Sequence, residues 1–195
     1  MTNNPMLSRA YARFDAANAE DPNAILVDGK EQPKELIFAK RLTSTVMKLA
    51  PNASLSLLLA ARCQHICRWK IPRSTEPMNR QGYLKWRTGL KKFHAELSGN
   101  ILREVGYDDE TIERVALLNQ KKNIKSDPEC QTIEDALCLV FLQYQFDTLI
   151  EHTEENKMIS IIQKTWNKMS DQGHSAALKL KYSKAAQEIL EKALN

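Results

Sequence analysis

The sequence predicts an all-α fold, a helical bundle that forms a single domain over residues 1–195. Apolar residues recur at the three- and four-residue spacing of amphipathic helices along most of the chain. Prolines and capping side chains separate these stretches, and no segment alternates apolar and polar residues as a strand would. Hydrophobic residues make up 43% and charged residues 27%, the balance of a folded chain long enough for one core.

Three helices are predicted in the first part of the chain. In the first of them, Leu7, Tyr11 and Phe14 fall on one side. Pro33 suits the first turn of the second helix, where a missing N–H costs little. Pro72 ends the third, because proline disfavours helix in the residue before it. The predicted ranges are 6–19, 33–50 and 53–69.

Caps and helix breakers also define the second part. Asn79 is predicted to cap a long helix that Gly106 ends, and Asp108 to cap the next one. Asp127 and Pro128 are a strong helix start, and the helix after them is apolar nearly all round, which predicts a position at the centre of the bundle. The predicted helices cover 80–105, a stretch from 109, 128–146, and two amphipathic stretches over 158–169 and 180–194.

The segment from Gln64 to Arg73 concentrates the side chains suited to chemistry. It holds a histidine, an amide, two arginines, a lysine and a tryptophan at the end of an apolar helix. On a helical period, His65 and Arg68 share a face with Leu58 and Ala61. Burial accounts for the two apolar residues, but a buried histidine and arginine are costly unless partners satisfy them. This mismatch predicts a pocket.

Two histidines and one carboxylate form the candidate reactive group. His65 and His94 fall in the apolar stripes of different helices, and Asp135 lies early in the apolar helix. If these three side chains converge in the fold, they would hold a divalent metal ion with coordination positions open for water. They would equally serve as a metal-free acid–base group in which the carboxylate fixes a histidine tautomer. The alternative is that each histidine is a hydrogen-bonded core residue.

Basic side chains near the same segment suggest an anionic ligand. Arg68, Arg73 and Arg87 are candidate anion-binding residues, because the planar guanidinium holds phosphate or carboxylate at two points. Gln64 and Gln131 would position the ligand by hydrogen bonds. The alternative is a solvated basic surface on which the arginines pair with nearby carboxylates.

Aromatic residues and lysines around the loop have simpler interpretations. Trp69 is a candidate for stacking on a base or a sugar. Tyr83 and Trp86 follow helical spacing and are expected in the core. Lys121 and Lys122 are expected on a solvated surface.

Composition and the known motifs narrow the classes of function. The net charge of +4 permits an anionic ligand but is far from that of a dedicated nucleic-acid binder. No apolar run approaches a membrane span, and the start of the chain is unlike a signal peptide. The four cysteines lack the spacing of a zinc site, so we expect buried, reduced thiols and a cytosolic protein. No phosphate-binding glycine loop, nucleophile elbow or H-E-x-x-H motif is present.

Several short motifs together resemble a family catalogued as a domain of unknown function. The motifs are Glu20-Asp21-Pro22, Gln64-His65-Ile66, Arg68-Trp69, Pro72-Arg73, Gly82-Tyr83-Leu84-Lys85-Trp86-Arg87, His94 and Glu134-Asp135-Ala136. The resemblance covers almost the whole chain. Members of that family are sometimes labelled glutamyl-tRNA synthetase-like, but this sequence carries no nucleotide motif of a synthetase. The resemblance therefore implies no activity.

The middle helices also resemble those of the HD-type metal-dependent phosphohydrolases, which are all-helical. The stretch from His94 to Ala136 is similar in rhythm to the second half of that fold. In this alignment His65 matches the histidine of the family's His-Asp pair and Asp135 matches the late carboxylate ligand. Ile66 stands where the paired aspartate would be, and the early helix offers Phe14 and Asp15 but no histidine. Half of the usual metal set is therefore missing.

These observations lead to one main hypothesis and two alternatives. The main hypothesis is an HD-like, degenerate hydrolase that acts on a small phosphorylated or anionic, nucleotide-like substrate, with His65, His94 and Asp135 as catalytic or metal-binding residues. The first alternative is a non-catalytic module that binds a small ligand or RNA. The second is a helical scaffold that forms homo-oligomers through its C-terminal helices.

Overall fold

The all-α prediction is confirmed by the computed structural model, which describes residues 4–121, 124 and 126–195. Helices account for nearly all regular structure in these ranges, with one short hairpin near the start. The elements are α1 (Pro5–Ala19), β1 (Ala24–Val27), β2 (Lys30–Pro33), α2 (Lys34–Leu49), α3 (Leu55–Cys63), α4 (Arg80–Val105), α5 (Asp109–Gln120), α6 (Pro128–Tyr144), α7 (Phe146–Glu151), α8 (Glu155–Trp166), α9 (Asp171–Ala177) and α10 (Lys184–Leu194). Two short 3-10 helices, Arg68–Lys70 and Arg73–Thr75, lie between α3 and α4.

Helix α6 lies between two hydrophobic clusters, as its all-round apolar character predicts. Its first half contributes residues such as Ile133 and Val140 to a cluster shared with α1 to α5. Its second half contributes residues such as Leu142 to a cluster shared with α7 to α10. Because α6 contributes to both clusters, it fixes the N-terminal helices relative to the C-terminal ones. The four cysteines are free and buried, as predicted.

The predicted caps are confirmed. The side chain of Asn79 accepts from the Gly82 N–H at the start of α4, and that of Asp108 accepts from the Thr111 N–H at the start of α5. Asp127 does the same for α6. Each cap satisfies N–H groups that the first helical turn leaves without a partner.

The expectation that strands are absent is wrong for residues 24–33. Strands β1 and β2 pair antiparallel, with Ala24 opposite Pro33 and Val27 opposite Lys30. Asp28 and Gly29 both adopt positive φ, of 50° and 75°, which suits a two-residue hairpin turn. The hairpin continues directly into α2, so Pro33 ends a strand and does not enter the first helical turn.

The prediction of one continuous helix over 53–69 is also wrong. Helix α3 ends at Cys63, and the chain turns back through Cys67, whose φ is 51°. The side chain of Asn18 on α1 accepts the Cys67 N–H at 3.0 Å and so stabilises this left-handed residue. His65 therefore lies on the turn after α3, and Arg68 begins a separate short 3-10 helix, Arg68–Lys70.

The C-terminal part has more helices than predicted. The apolar helix stops at Tyr144, and α7 begins at Phe146 after a break at Gln145. The two predicted amphipathic stretches correspond mainly to α8 and α10, with the short α9 between them. In the part of the chain that the structure describes, no helix is both long enough and apolar enough to cross a bilayer.

Candidate functional site

A cleft of about 470 Å³ lies between α2, α6, α7 and the turn after α3. Its walls combine charged groups with aromatic and aliphatic side chains, an arrangement typical of small-molecule sites. The side chains used below are Glu35, Phe38, Arg41, His65, Arg68, Val140, Phe141 and Tyr144.

Glu35 is the buried carboxylate of the cleft. It stands in the first turn of α2, where Asp21 accepts the Glu35 backbone N–H at 3.0 Å. Only 8% of Glu35 is exposed, and its Oε2 atom has no hydrogen-bond partner among the residues described. Burial raises the pKa of Glu35 to about 7, while Arg68 lowers it and Asp21 raises it by smaller amounts. Near neutral pH this carboxyl is therefore divided between its acid and base forms.

His65 faces Glu35 across the cleft. Its Nδ1 atom lies 3.8 Å from the Glu35 Oε2 atom, just beyond direct hydrogen-bond length. The imidazole stacks on the Phe38 ring with a centroid distance of 4.3 Å, and 25% of its side chain remains exposed. Burial, followed by the charges of Arg68 and His94, holds the pKa of His65 well below 6.5. The ring is accordingly neutral at physiological pH.

His94 lies behind His65, in the interior. The two ring centroids are 5.9 Å apart, and His94 is only 3% exposed. Its Nδ1 atom is 2.9 Å from the Ile66 carbonyl oxygen, so Nδ1 carries the proton and Nε2 is left as an acceptor. Burial lowers the pKa of His94 to about 4. The structure thus brings together two of the three predicted side chains.

This burial of His94 predicts a pH-dependent stability. A histidine whose pKa falls from 6.5 to about 4 on folding contributes stability above pH 6.5 that is lost as the pH falls through 4. We therefore expect a His94→Asn variant, whose amide can still donate to the Ile66 carbonyl, to gain about 3 kcal/mol relative to wild type between these pH values. Urea denaturation at several pH values measures this difference in the free energy of unfolding. Glu35 is present in both proteins, so its own effect on the pH dependence cancels.

The matched control is Gln81→Asn, which changes an exposed, non-titrating side chain on the same helix as His94. It should follow the wild-type pH dependence. If His94→Asn also followed it, the interior histidine would not be the group that titrates.

Asp135 lies elsewhere, which corrects the predicted three-residue group. Its Oδ1 atom accepts from the Ser170 N–H at 2.8 Å and from the Gln131 amide at 2.9 Å, and its Oδ2 atom accepts from the Ser170 hydroxyl. The carboxylate therefore joins α6 to the start of α9. Glu35 is the carboxylate that stands beside His65.

The donor set does not fit the predicted metal site. Across residues 4–121, 124 and 126–195, no group of three or more His, Cys, Asp or Glu residues is placed to hold a metal ion. The Asp135 carboxylate accepts hydrogen bonds from Gln131 and Ser170, and the Nδ1 atom of His94 is hydrogen-bonded to the Ile66 carbonyl. His65, His94 and Asp135 are not assembled as ligands.

Arg68 is the predicted anion-binding residue that does reach the cleft. It is half-buried, and its guanidinium carbon lies 4.9 Å from the centre of the Trp86 ring. Within the described ranges its guanidinium makes no hydrogen bond, and no carboxylate lies within 4 Å of it. A guanidinium held by an aromatic face keeps its N–H edge available for an anion.

The other predicted ligand-binding residues have structural roles. Arg73 donates to the carbonyl oxygens of Glu76, Pro77 and Asn79 and so stabilises the loop before α4. Gln64 is buried and donates to the Asn119 carbonyl at 3.1 Å. Besides Asp135, Gln131 donates to the Lys168 carbonyl at 2.9 Å. None of these side chains lines the cleft.

The surface aromatics and lysines depart from expectation in two places. Trp86 is buried as predicted, but Tyr83 is 41% exposed, with Arg87 placed 5.7 Å from its ring centre. Trp69 packs partly buried against the main core. Lys121 pairs with Glu134 at 2.8 Å with only 10% of its side chain exposed, so the expected solvated position is wrong. Lys122 falls outside the described residues.

Among the cleft residues that the sequence did not identify as site residues, Glu35 and Arg41 carry the charges used below. The only local signal was their position on one predicted helix, at three-residue spacing with Phe38 between them. Such spacing indicates a shared face but does not say whether that face is a cleft or a solvated surface.

Comparison with family models decides where the chain belongs. The model described as "Domain of unknown function (DUF4202)" matches residues 8–190, nearly the full length. The chain belongs to this family. The resemblance to an uncharacterised family is thereby confirmed, and the DUF4202 match includes every residue that lines the cleft. Searches of curated proteins and of solved structures gave no significant match. The HD-like arrangement of the DUF4202 helices stays a prediction.

Proposed function

We propose that the cleft binds a small phosphorylated, nucleotide-like anion and that Glu35 catalyses its hydrolysis as an acid–base group. The observation that carries this proposal is the burial of the Glu35 carboxyl, whose Oε2 atom has no hydrogen-bond partner among the residues described and whose pKa is raised by burial to about 7. A group with a pKa close to the working pH is the most effective acid–base catalyst.

The surrounding residues supply what such a ligand requires. Arg68 would neutralise the phosphoryl oxygens, because its guanidinium lacks an acidic partner within 4 Å among the described residues. Phe38 and Phe141 offer apolar surface for a sugar or a base. The cleft volume of about 470 Å³ lies within the range of small-molecule sites.

The proposed reaction moves one proton through Glu35. The oxygen of a water molecule attacks phosphorus while the Glu35 carboxylate takes the water proton. The bond from phosphorus to the ester oxygen breaks, and that oxygen keeps the electron pair and receives the proton from Glu35. His65, neutral at this pH, would orient the water by a hydrogen bond. No step uses a metal, because the predicted ligands are not assembled.

The direct test is a panel of phosphomonoesters and nucleoside phosphates, with released phosphate as the readout. We expect turnover of at least one compound. A panel without binding or turnover would contradict the proposal.

Arg68→Gln is expected to raise the KM of any compound that is turned over about 10-fold or more, since it removes one charge-assisted hydrogen bond. Steady-state kinetics measures this effect. Arg9→Gln on α1, an exposed arginine away from the cleft, is the control and should retain wild-type constants. An unchanged KM in Arg68→Gln would remove Arg68 from the site.

The four free, buried cysteines support a cytosolic location, which we include in the proposal. Reduced thiols persist in that compartment. Labelling of the thiols in protein unfolded directly from cell extract would test it, and disulfide-linked cysteines would contradict it.

Binding to RNA is a second candidate, favoured by the concentration of positive charge in one segment. Residues 68–92 hold eight basic residues and one acidic residue, whereas the whole chain has a net charge of only +4. The basic residues are Arg68, Lys70, Arg73, Arg80, Lys85, Arg87, Lys91 and Lys92. Binding of a single-stranded RNA should weaken steeply with added salt. No binding at low salt would exclude this candidate.

A further inference from the structure

Helix α2 forms one wall of the cleft, and three of its charged residues, Lys34, Glu35 and Arg41, line the cavity. Glu35, Phe38 and Arg41 are spaced three residues apart, so they occupy successive turns and all line the cavity. At 1.5 Å per residue, the backbone positions of Glu35 and Arg41 are about 9 Å apart along the helix. Arg41 therefore stands at the opposite end of this wall from Glu35.

Arg41 has the same environment as Arg68. Its guanidinium carbon lies 3.9 Å from the centre of the Tyr144 ring, and the residue is half-buried. Among the residues described, its guanidinium has no hydrogen-bond acceptor and no acidic partner within 4 Å. The cleft thus contains two arginines, each held on an aromatic face and each with a free N–H edge.

Uncharged aromatic and aliphatic side chains also line the cavity. Phe38 stands between Glu35 and Arg41 on α2, with His65 stacked on its ring. Val140 and Phe141 of α6 line the same cavity. A ligand that reaches both arginines would therefore place an apolar or planar middle part against these side chains, with its charges at the ends.

We propose that the ligand carries two separated anionic groups, one bound by Arg68 beside Glu35 and His65, the other bound by Arg41. This inference rests on the proposed function for the location of the reacting group. The Arg41 group remains intact in the reaction and contributes binding and orientation. The substrate class is a phosphorylated compound with a second phosphate or carboxylate at the far end of a short uncharged spacer.

The test is titration calorimetry with α,ω-alkanediol bisphosphates, with spacers of about two to six carbon atoms, each compared with its monophosphate. We expect one spacer length to bind about 10-fold or more tightly than its monophosphate, with weaker binding on either side. Arg41→Gln should remove that advantage and leave the affinity for monophosphates unchanged. Arg68→Gln should weaken both kinds of ligand.

Two further variants make the result specific to Arg41. Arg41→Lys keeps the charge but not the planar fork, so it should retain part of the advantage. Arg9→Gln should behave as wild type, and circular dichroism should show that all variants are folded. Equal affinity for mono- and bisphosphates at every length, or no binding of either, would overturn the inference. Equal weakening of both ligands in Arg41→Gln would mean one shared anion site and would also overturn it.

The two proposals fail in different ways. Suppose that the affinity peaks at one spacer length in an Arg41-dependent way, while turnover is unaffected by Glu35→Gln. The two-anion ligand would then be retained, and the catalytic role of Glu35 would be rejected. Glu35-dependent turnover of monophosphates without a length preference would do the reverse.

Discussion

Replacing Glu35 by glutamine is expected to lower kcat/KM by about 10²- to 10⁴-fold, the usual contribution of one positioned acid–base group. Glutamine keeps the size and most of the polarity of the side chain but cannot accept the proton of the attacking water. In the wild type, kcat/KM should rise with pH through about 7, because the carboxylate form of Glu35 is the base. In Glu35→Gln this rise should disappear, as measured by initial rates across the pH range.

The matched control is Glu31→Gln on the exposed β2 strand, four residues away. It should keep both the rate and the pH profile. A Glu35→Gln variant that retained the wild-type rise near pH 7 would assign that pKa to another group and remove Glu35 from the mechanism.

Replacing Asp135 by alanine is expected to destabilise the protein by about 3 kcal/mol or more. The buried carboxylate accepts the Ser170 N–H, the Ser170 hydroxyl and the Gln131 amide, and alanine would leave these donors without partners. Gly173 packs directly against Asp135, so a cavity would also form at the start of α9. Denaturant unfolding measures the loss, which should appear as a lower transition midpoint.

Asp171→Ala provides the comparison, since Asp171 is an exposed carboxylate in the first turn of α9. Its cost should stay below about 1 kcal/mol. A stable Asp135→Ala protein that had lost all turnover would restore the predicted catalytic role of Asp135 and contradict the structural one.

Local sequence was enough to predict most helices, because their signals are local. Asn79, Asp108 and Asp127 satisfy N–H groups only two or three residues away, so their caps can be recognised without the rest of the fold. The left-handed turn after α3 is stabilised instead by Asn18, whose side chain accepts the N–H of Cys67. These two residues are 49 positions apart in the sequence. No local pattern reveals that contact, and the helix was therefore extended too far.

The candidate site was predictable in part for the same reason. His65 and His94 stood out because imidazoles in apolar stripes need partners, and the structure places their rings close together. From its sequence position alone, Asp135 is a plausible third member of the group. In the structure, both of its carboxylate oxygens accept hydrogen bonds from Ser170, which lies 35 residues further along the chain. The sequence does not indicate that Glu35 is buried, because a glutamate in the first turn of a helix usually faces solvent and interacts favourably with the helix dipole. Its burial results from tertiary packing.

The most direct measurement is a pH titration of the Glu35 side-chain carboxyl carbon by nuclear magnetic resonance, with its signal assigned from its absence in Glu35→Gln. We expect a midpoint near 7, because burial of the carboxyl raises its pKa. A midpoint near the ordinary value of 4.5 would mean a solvated carboxylate and would contradict the acid–base site.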